Sequence, residues 1–195
     1  MLNQIIFRFG QTILMDKALF DLHRQAPIVT GEAVISEGLG FSVDIKPRQG
    51  NLVGYRAKPH TGVINLEKFN FYEPSDFWEE IRTNDRRIIL DPGAFYILVS
   101  REAITIPPNC AAEMAPYLAM VGEFRVHYAG FFDPGFGYSS SGAGSRGVLE
   151  VRCHEAPFVL EHGQIVGRLV YEKMSEIPEQ LYGIDIKSNY QGQRL

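Results

Sequence analysis

The segment "GVLEV" (residues 147–151) sets one carboxylate, Glu150, among strand formers, directly after the glycine-rich stretch "PGFGYSSSGAGSRG". A carboxylate that a strand carries partly out of water has its pKa raised by desolvation, and it can then take a proton from water and pass it on. The same position equally suits a strand-edge glutamate that faces solvent or pairs with Arg146 or Arg152. Asp133 opens the turn "DPGFG", where its side chain either caps the Pro-Gly corner or faces a ligand. Cys153, His154 and Glu155 are metal-capable residues in a row, but strand alternation sends neighbours to opposite faces. A zinc-bound water needs three convergent protein ligands, and the chain has no C-x-x-C, so no zinc site is expected. By composition alone, Tyr182, Tyr190 and Gln193 belong to an ordinary C-terminal tail.

These residues need a scaffold, and the composition bounds it. The chain has 195 residues, 45% of them hydrophobic, which suits one domain with a sizeable core. A formal charge of -4 argues against a sequence-independent grip on nucleic acid. A phosphate-bearing ligand must then be held by a local cluster of donors. No apolar run reaches the roughly 18 residues of a membrane span, and "MLNQIIFRFGQ" lacks the parts of a signal peptide. A soluble, cytoplasmic protein is expected. The two cysteines, Cys110 and Cys153, read as separate buried thiols.

Periodicity predicts mainly β structure with two short helices. "MDKALFDLHRQ" spaces Met15, Leu19 and Leu22 for a helix that Pro27 closes, so residues 1–30 form a helical preface. "EPSDFWEEI" predicts a second helix, with Ser75 or Asp76 as N-cap and Trp78 facing inward. Strands are expected in "EAVI", "GFSVDIKP", "GVINL", "RRIIL", "FYILVS", "AITIP", "EFRVHYAGFF", "GVLEVRCHEAPFVL" and "QIVGRLVYEKM". The Pro-Gly turns in "LDPGAFYILVS" and "FFDPGFG" are hairpin-grade signals. "YSSSGAGSRG" reads as an exposed loop, either a binding element or a tolerated insertion. Trp78 and the aromatic run "FNFY" (residues 69–72) read as core or interface.

In order and spacing, "ILDPGAFYILVSREAITIPPN", "VHYAGFFDPGFGY", "GVLEV", "LEHGQIVGRLVYEKMSEIPEQLYG" and "SNYQGQRL" resemble the successive motifs of deoxycytidine triphosphate deaminases. These belong to the trimeric dUTPase-like superfamily. The resemblance covers about residues 86–195, with "EGLGFSVDIKP" similar to the family's first motif. It is best to the second half of the long bacterial forms, where two such units are fused. It implies a β-clip, distorted jelly-roll domain over residues 1–195 and hydrolytic deamination of dCTP to dUTP and ammonia. Glu150 would be the general acid/base and Asp133 would orient the deoxyribose or a water. Ala129 would leave room for the pyrimidine, while Tyr182, Tyr190 and Gln193 close over the nucleotide, with Arg146 a substitute phosphate ligand. Magnesium would arrive on the phosphates, and the sites would lie between subunits of a homotrimer or pseudo-trimer. A dUTP diphosphatase and a catalytically silent nucleotide-binding or oligomerisation repeat are the alternatives.

The departures from the family pattern are as informative. Pro116 stands where the family has a serine, Met120 and Phe131 where it has arginines, and Asn189 where it has a lysine. Three cations are thereby removed from a site meant for a triphosphate, which needs charge-assisted donors.

Overall fold

The computed structural model describes residues 10–47, 49–116, 124–126, 130–138 and 142–186. Two helices, α1 (Asp16–Gln25) and α2 (Pro74–Phe77), accompany eleven strands among these residues. The strands are β1 (Leu39–Ser42), β2 (Leu52–Ala57), β3 (Trp78–Arg82), β4 (Arg87–Leu90), β5 (Phe95–Ile104) and β6 (Cys110–Pro116). After them come β7 (Phe124–Val126), β8 (Phe131–Phe132), β9 (Ser145–Cys153), β10 (Phe158–Glu161) and β11 (Ile165–Lys173). They form a four-stranded sheet β1-β11-β6-β8, a five-stranded sheet β3-β2-β5-β9-β7 and the pair β10-β4. Every named pairing is antiparallel.

Strand alternation decides what enters the core. Along β9, Ser145, Gly147, Leu149, Val151 and Cys153 are buried, while Val148, Glu150 and Arg152 are exposed. The buried set meets Phe41 of β1 and Phe132 of β8, whose rings stand edge-on at 6.3 Å. Gly147 is the contact point: a Cβ there would lie 2.5 Å from Phe41 Cζ, so only glycine lets the ring approach. Leu39, Leu98, Ile104, Leu160, Leu169 and Tyr171, all at 0% exposure, complete this core.

The first helix forms where the periodicity placed it, with Leu19 buried and Leu22 packed against the core. Met15 is its N-cap and is exposed, not part of the buried stripe. Ala26 N–H still donates to Leu22 O, and Pro27 then removes the next donor. Before the helix, the described residues are extended: Leu14 N–H donates to Tyr171 O and Lys173 N–H to Thr12 O, which ties the segment to β11. The second helix is a single turn with Glu73 as N-cap and Pro74 at its start, and Trp78 already begins β3. Trp78 pairs with Ala57 and Glu80 with Tyr55, in the same outward rows as Ile97 and Glu150. Trp78 therefore lies on the outer face, where the small Ala57 lets its ring reach Phe95 at 6.0 Å.

Neither Pro-Gly turn closes a hairpin. β4 pairs with β10 while β5 pairs with β2 and β9, so the turn at Pro92-Gly93 carries the chain between sheets. The turn at Pro134-Gly135 does the same between β8 and β9. "GVINL" forms no strand, and "EAVI" contributes only an isolated bridge from Ile35 to Leu39. β2, β3 and the alanine-rich β6 were not expected; β6 forms because β11 pairs with all of it, against weak local preference. Within the serine-glycine stretch Gly142 and Ala143 are exposed, but Ser145, Arg146 and Gly147 already belong to β9. Cys110 and Cys153 are buried and free, as expected.

Candidate active site

Glu150 sits on β9 between Leu149 and Val151, and its cross-strand partner on β5 is Ile97. The pleat turns both buried neighbours inward and leaves Glu150 exposed on the outer face of the five-stranded sheet. Partial burial was expected of it; this chain by itself does not bury it. Neither arginine offered as a partner reaches it. Arg146 Nη1 is 2.5 Å from Asp44 Oδ2, about 13 Å along the strand from Glu150 at the usual rise. Arg152 places its guanidinium 5.0 Å above the Phe95 ring. The row that holds Glu150 runs through half-buried Ile97 and Tyr55 to exposed Glu80, with Phe95 and Trp78 one row away.

Asp133 and Tyr182 are brought together by their backbones. Asp133 O accepts from Phe136 N–H at 3.0 Å, closing the Pro-Gly turn, and Pro134 O accepts from Tyr182 N–H at 3.0 Å. Gly135, at φ 100°, is pressed against this second strand of chain: a Cβ would lie 2.8 Å from Tyr182 O. The Tyr182 ring rests 6.0 Å from Phe136, which itself packs against Phe132. The Asp133 backbone carbonyl thus closes the turn, and the residue is half-buried next to the Pro134–Tyr182 contact. Ala129, Tyr190 and Gln193 lie outside the described residues, as do Met120 and Asn189. Phe131, in place of an arginine, is exposed on β8 opposite Glu113, and Pro116 ends β6 opposite Gly167.

A polar cluster that sequence reasoning missed surrounds Asp44. Its carboxylate is 6% exposed and holds Arg146 from β9, while Asp44 Oδ1 accepts from Lys46 N–H at 3.1 Å. His162 Nδ1 lies 3.4 Å from Asp44 Oδ1 and accepts a hydrogen bond from Ile45 N–H at 3.2 Å. An accepting Nδ1 means a neutral imidazole. Burial pushes the His162 pKa down; Asp44 opposes that, and Arg101, Arg86 and Lys46 reinforce it. The available signal was a carboxylate placed between Val43 and Ile45 in a strand-like run. Arg146 is therefore committed to Asp44, which qualifies its expected role as a phosphate ligand.

Among the described residues, no three His, Cys, Asp or Glu side chains converge as metal ligands would. Cys153 points inward with its Sγ 2.8 Å from Ala156 O, whereas His154 and Glu155 are exposed. No described helix is long and apolar enough to cross a membrane.

The family model for the C-terminal domain of 2'-deoxycytidine 5'-triphosphate deaminase matches residues 15–195. The chain belongs to the deoxycytidine triphosphate deaminase family. Among such deaminases, the chain is similar to a "dCTP deaminase, dUMP-forming" of Beutenbergia cavernae, 32% identical over 155 residues covering 75% of this chain and 77% of that one. Another of the same description, from Mycobacterium avium, is 28% identical over 140 residues, covering 68% and 70%. The crystal structure of 2'-deoxycytidine 5'-triphosphate deaminase from Agrobacterium tumefaciens is 52% identical, with a TM-score of 0.81. The match covers 87% of this chain and 51% of the Agrobacterium chain, so this chain spans about half the length of that deaminase. The mainly β, dUTPase-like fold expected from the motifs is the fold observed.

Proposed function

We propose that the chain is a dUTPase-like deaminase unit that hydrolyses the amino group of dCTP, with Glu150 as general acid/base. The carrying observation is Glu150 itself: an outward carboxylate in the middle of a strand, beside half-buried Ile97 and Tyr55 and flanked along the strand by exposed Val148 and Arg152, without an ion-pair partner among the described residues. A solvated face has no use for Tyr55, Phe95 and Ile97, whereas a face covered by a neighbouring unit would desolvate Glu150 and raise its pKa into the working range.

In the proposed step Glu150 takes a proton from water as the oxygen bonds to the amino-bearing ring carbon. The proton passes to the ring nitrogen; Glu150 then moves the added hydroxyl's proton to the amino group, and the carbon–nitrogen bond breaks to leave the ring carbonyl and ammonia. Asp133, fixed by its turn, would orient the sugar or a water; Ala129 would give the pyrimidine room; Tyr182, Tyr190 and Gln193 would close the site. Magnesium, carried on the phosphates, would neutralise part of their charge, and no zinc takes part. Pro116, Met120, Phe131 and Asn189 leave every copy of the chain short of cations, so a pseudo-trimer with a second repeat would supply them across the interface, whereas in a homotrimer other arginines of this chain would have to stand in. This places the reaction in cytoplasmic pyrimidine deoxynucleotide metabolism.

The product separates two readings. Deamination alone yields dUTP, while the likeness to the "dUMP-forming" deaminases of Beutenbergia and Mycobacterium favours continued hydrolysis to dUMP and pyrophosphate. Ammonia and pyrophosphate should be assayed together from dCTP and magnesium, on the chain and on Glu150→Gln. Ammonia that the variant loses by about 10²-fold or more supports the role of Glu150; pyrophosphate beside it selects dUMP. Ammonia release unchanged in the variant would sink the assignment. A folded chain that releases nothing would favour the silent repeat.

A further inference from the structure

The cluster around Asp44 continues outward, and its outer part is basic. Val43 bridges Ser100 and Asp44 N–H donates to Val99 O at 2.9 Å, which lays this segment against β5. The turn between β10 and β11 is tied to the same place, since His162 N–H donates to Arg86 O at 2.7 Å and Gly163 N–H to Val43 O at 2.9 Å. Four separate stretches of chain thus bring Lys46, Arg86, Arg101 and Arg146 around one imidazole. Arg101 follows Ser100 directly, and its Nη1 lies 3.4 Å from where a Cβ on Gly163 would stand.

Only one of these cations is paired. Arg146 is held by Asp44, whereas the side chains of Lys46, Arg86 and Arg101 form no hydrogen bond or ion pair among the described residues. Arginines elsewhere do find carboxylates: Arg24 pairs with Asp21, Arg56 with Asp91 and Arg168 with Glu37. The carboxylates at hand are engaged or peripheral. Glu102 accepts from both Ser42 N–H and Ser42 Oγ, Glu161 stands opposite Arg87 in the β10-β4 pair, and Asp85 is exposed at the rim. Four cations about one buried carboxylate leave an excess of three positive charges, on a chain whose net charge is -4.

His162 adds a directed donor. Its Nδ1 accepts from Ile45 N–H, so the ring proton sits on Nε2, and no described residue accepts it. Burial first, and then Arg101, Arg86 and Lys46 against the pull of Asp44, hold the His162 pKa down, which puts the three unpaired cations within electrostatic reach of the ring.

We propose that Lys46, Arg86, Arg101 and the His162 Nε2–H form a binding site for a phosphate group. Guanidinium forks meet phosphate oxygens two at a time, and a multiply charged anion takes up more of the excess than a carboxylate does. Asp44, 6% exposed, fixes the site from behind through Arg146 and the imidazole. So local an excess on a net negative chain does not suit a nucleic-acid backbone. The site stands apart from Glu150, because Arg146 is about 13 Å along β9 from it. It shares no residue with the proposed deamination step and does not rest on that reading.

The test is calorimetric titration with inorganic tripolyphosphate, free of magnesium, on the wild-type chain and on Arg86→Ala/Arg101→Ala. One equivalent should bind the wild type, more weakly as salt rises, and the variant should bind at least about tenfold more weakly with its melting curve unchanged. Arg86→Gln/Arg101→Gln, which keeps most of the length without the charge, should behave alike and decides the matter if the alanines disturb the fold. A wild type that binds no tripolyphosphate at millimolar concentration overturns the site, and so does equal affinity in wild type and folded variant. Repeating the titration with saturating dCTP identifies the source of the phosphate. Lost binding assigns the site to the tail of a nucleoside triphosphate and retained binding to a separate phosphate ligand; the site stands in both. Ammonia release is scored separately, so a chain inactive on dCTP decides nothing about this site.

Discussion

His162 accepts a hydrogen bond from Ile45 with the nitrogen that faces Asp44, so protonating it removes an acceptor inside a half-buried cluster. Its folded pKa lies below the ordinary value, so the fold favours the neutral ring. An unfolded histidine titrates near 6.5, roughly. Below that pH the unfolded chain binds a proton that the folded chain resists, and this part of the stability is present above about 6.5 and lost as pH falls toward the folded pKa. Urea midpoints taken from about pH 7.5 down to about pH 5 should fall less steeply for His162→Asn, which keeps an acceptor near Nδ1. Parallel profiles for the two proteins would assign the effect to another group. Glu150 could be read from sequence because it interrupts a run of strand formers, but whether it was buried could not. That answer depends on what lies over the outer face. Arg146 was misjudged for a different reason: Asp44, its partner, is 102 residues away.

Strand periodicity located β4 and β11, joined β9 and β10 into one run and split β5 into two, because alternation with one buried face is a local property of the chain but a strand's ends are not. The same reasoning failed on β6, whose alanines have little preference of their own and whose register comes from β11. It also failed on "GVINL", where apolar residues were taken for a strand and are instead exposed in the chain between β2 and β3. The two Pro-Gly turns were identified as turns, yet a turn sequence states only that the chain reverses and not which sheet receives it. Gly147 tests the packing that these elements create. Gly147→Ala should destabilise by about 1–3 kcal/mol, because the added methyl meets Phe41 across the two sheets. Val148→Ala, one residue along and facing out, should change stability by less than about 0.5 kcal/mol. Equal effects in urea unfolding would mean that Phe41 moves aside freely.

For the whole molecule, burial predicts how the thiols behave. Cys110 is pushed up to about 11, first by burial and against the pull of Lys173, and Cys153 is equally enclosed. An aromatic disulfide reagent at about pH 8 should leave both unmodified in the native protein and label both, at once, in denaturant. Prompt native labelling of one would show that the core opens locally there. The topology bears on synthesis as well. β1 pairs with β11 and has no other strand neighbour in its sheet, so Phe41 waits for a partner, Gly167, that is translated 126 residues later. At roughly 5–20 residues per second that interval is on the order of ten seconds, spent with an apolar strand uncovered at the ribosome. A sheet closed by so distant a pairing leaves this stretch open to aggregation until β11 emerges.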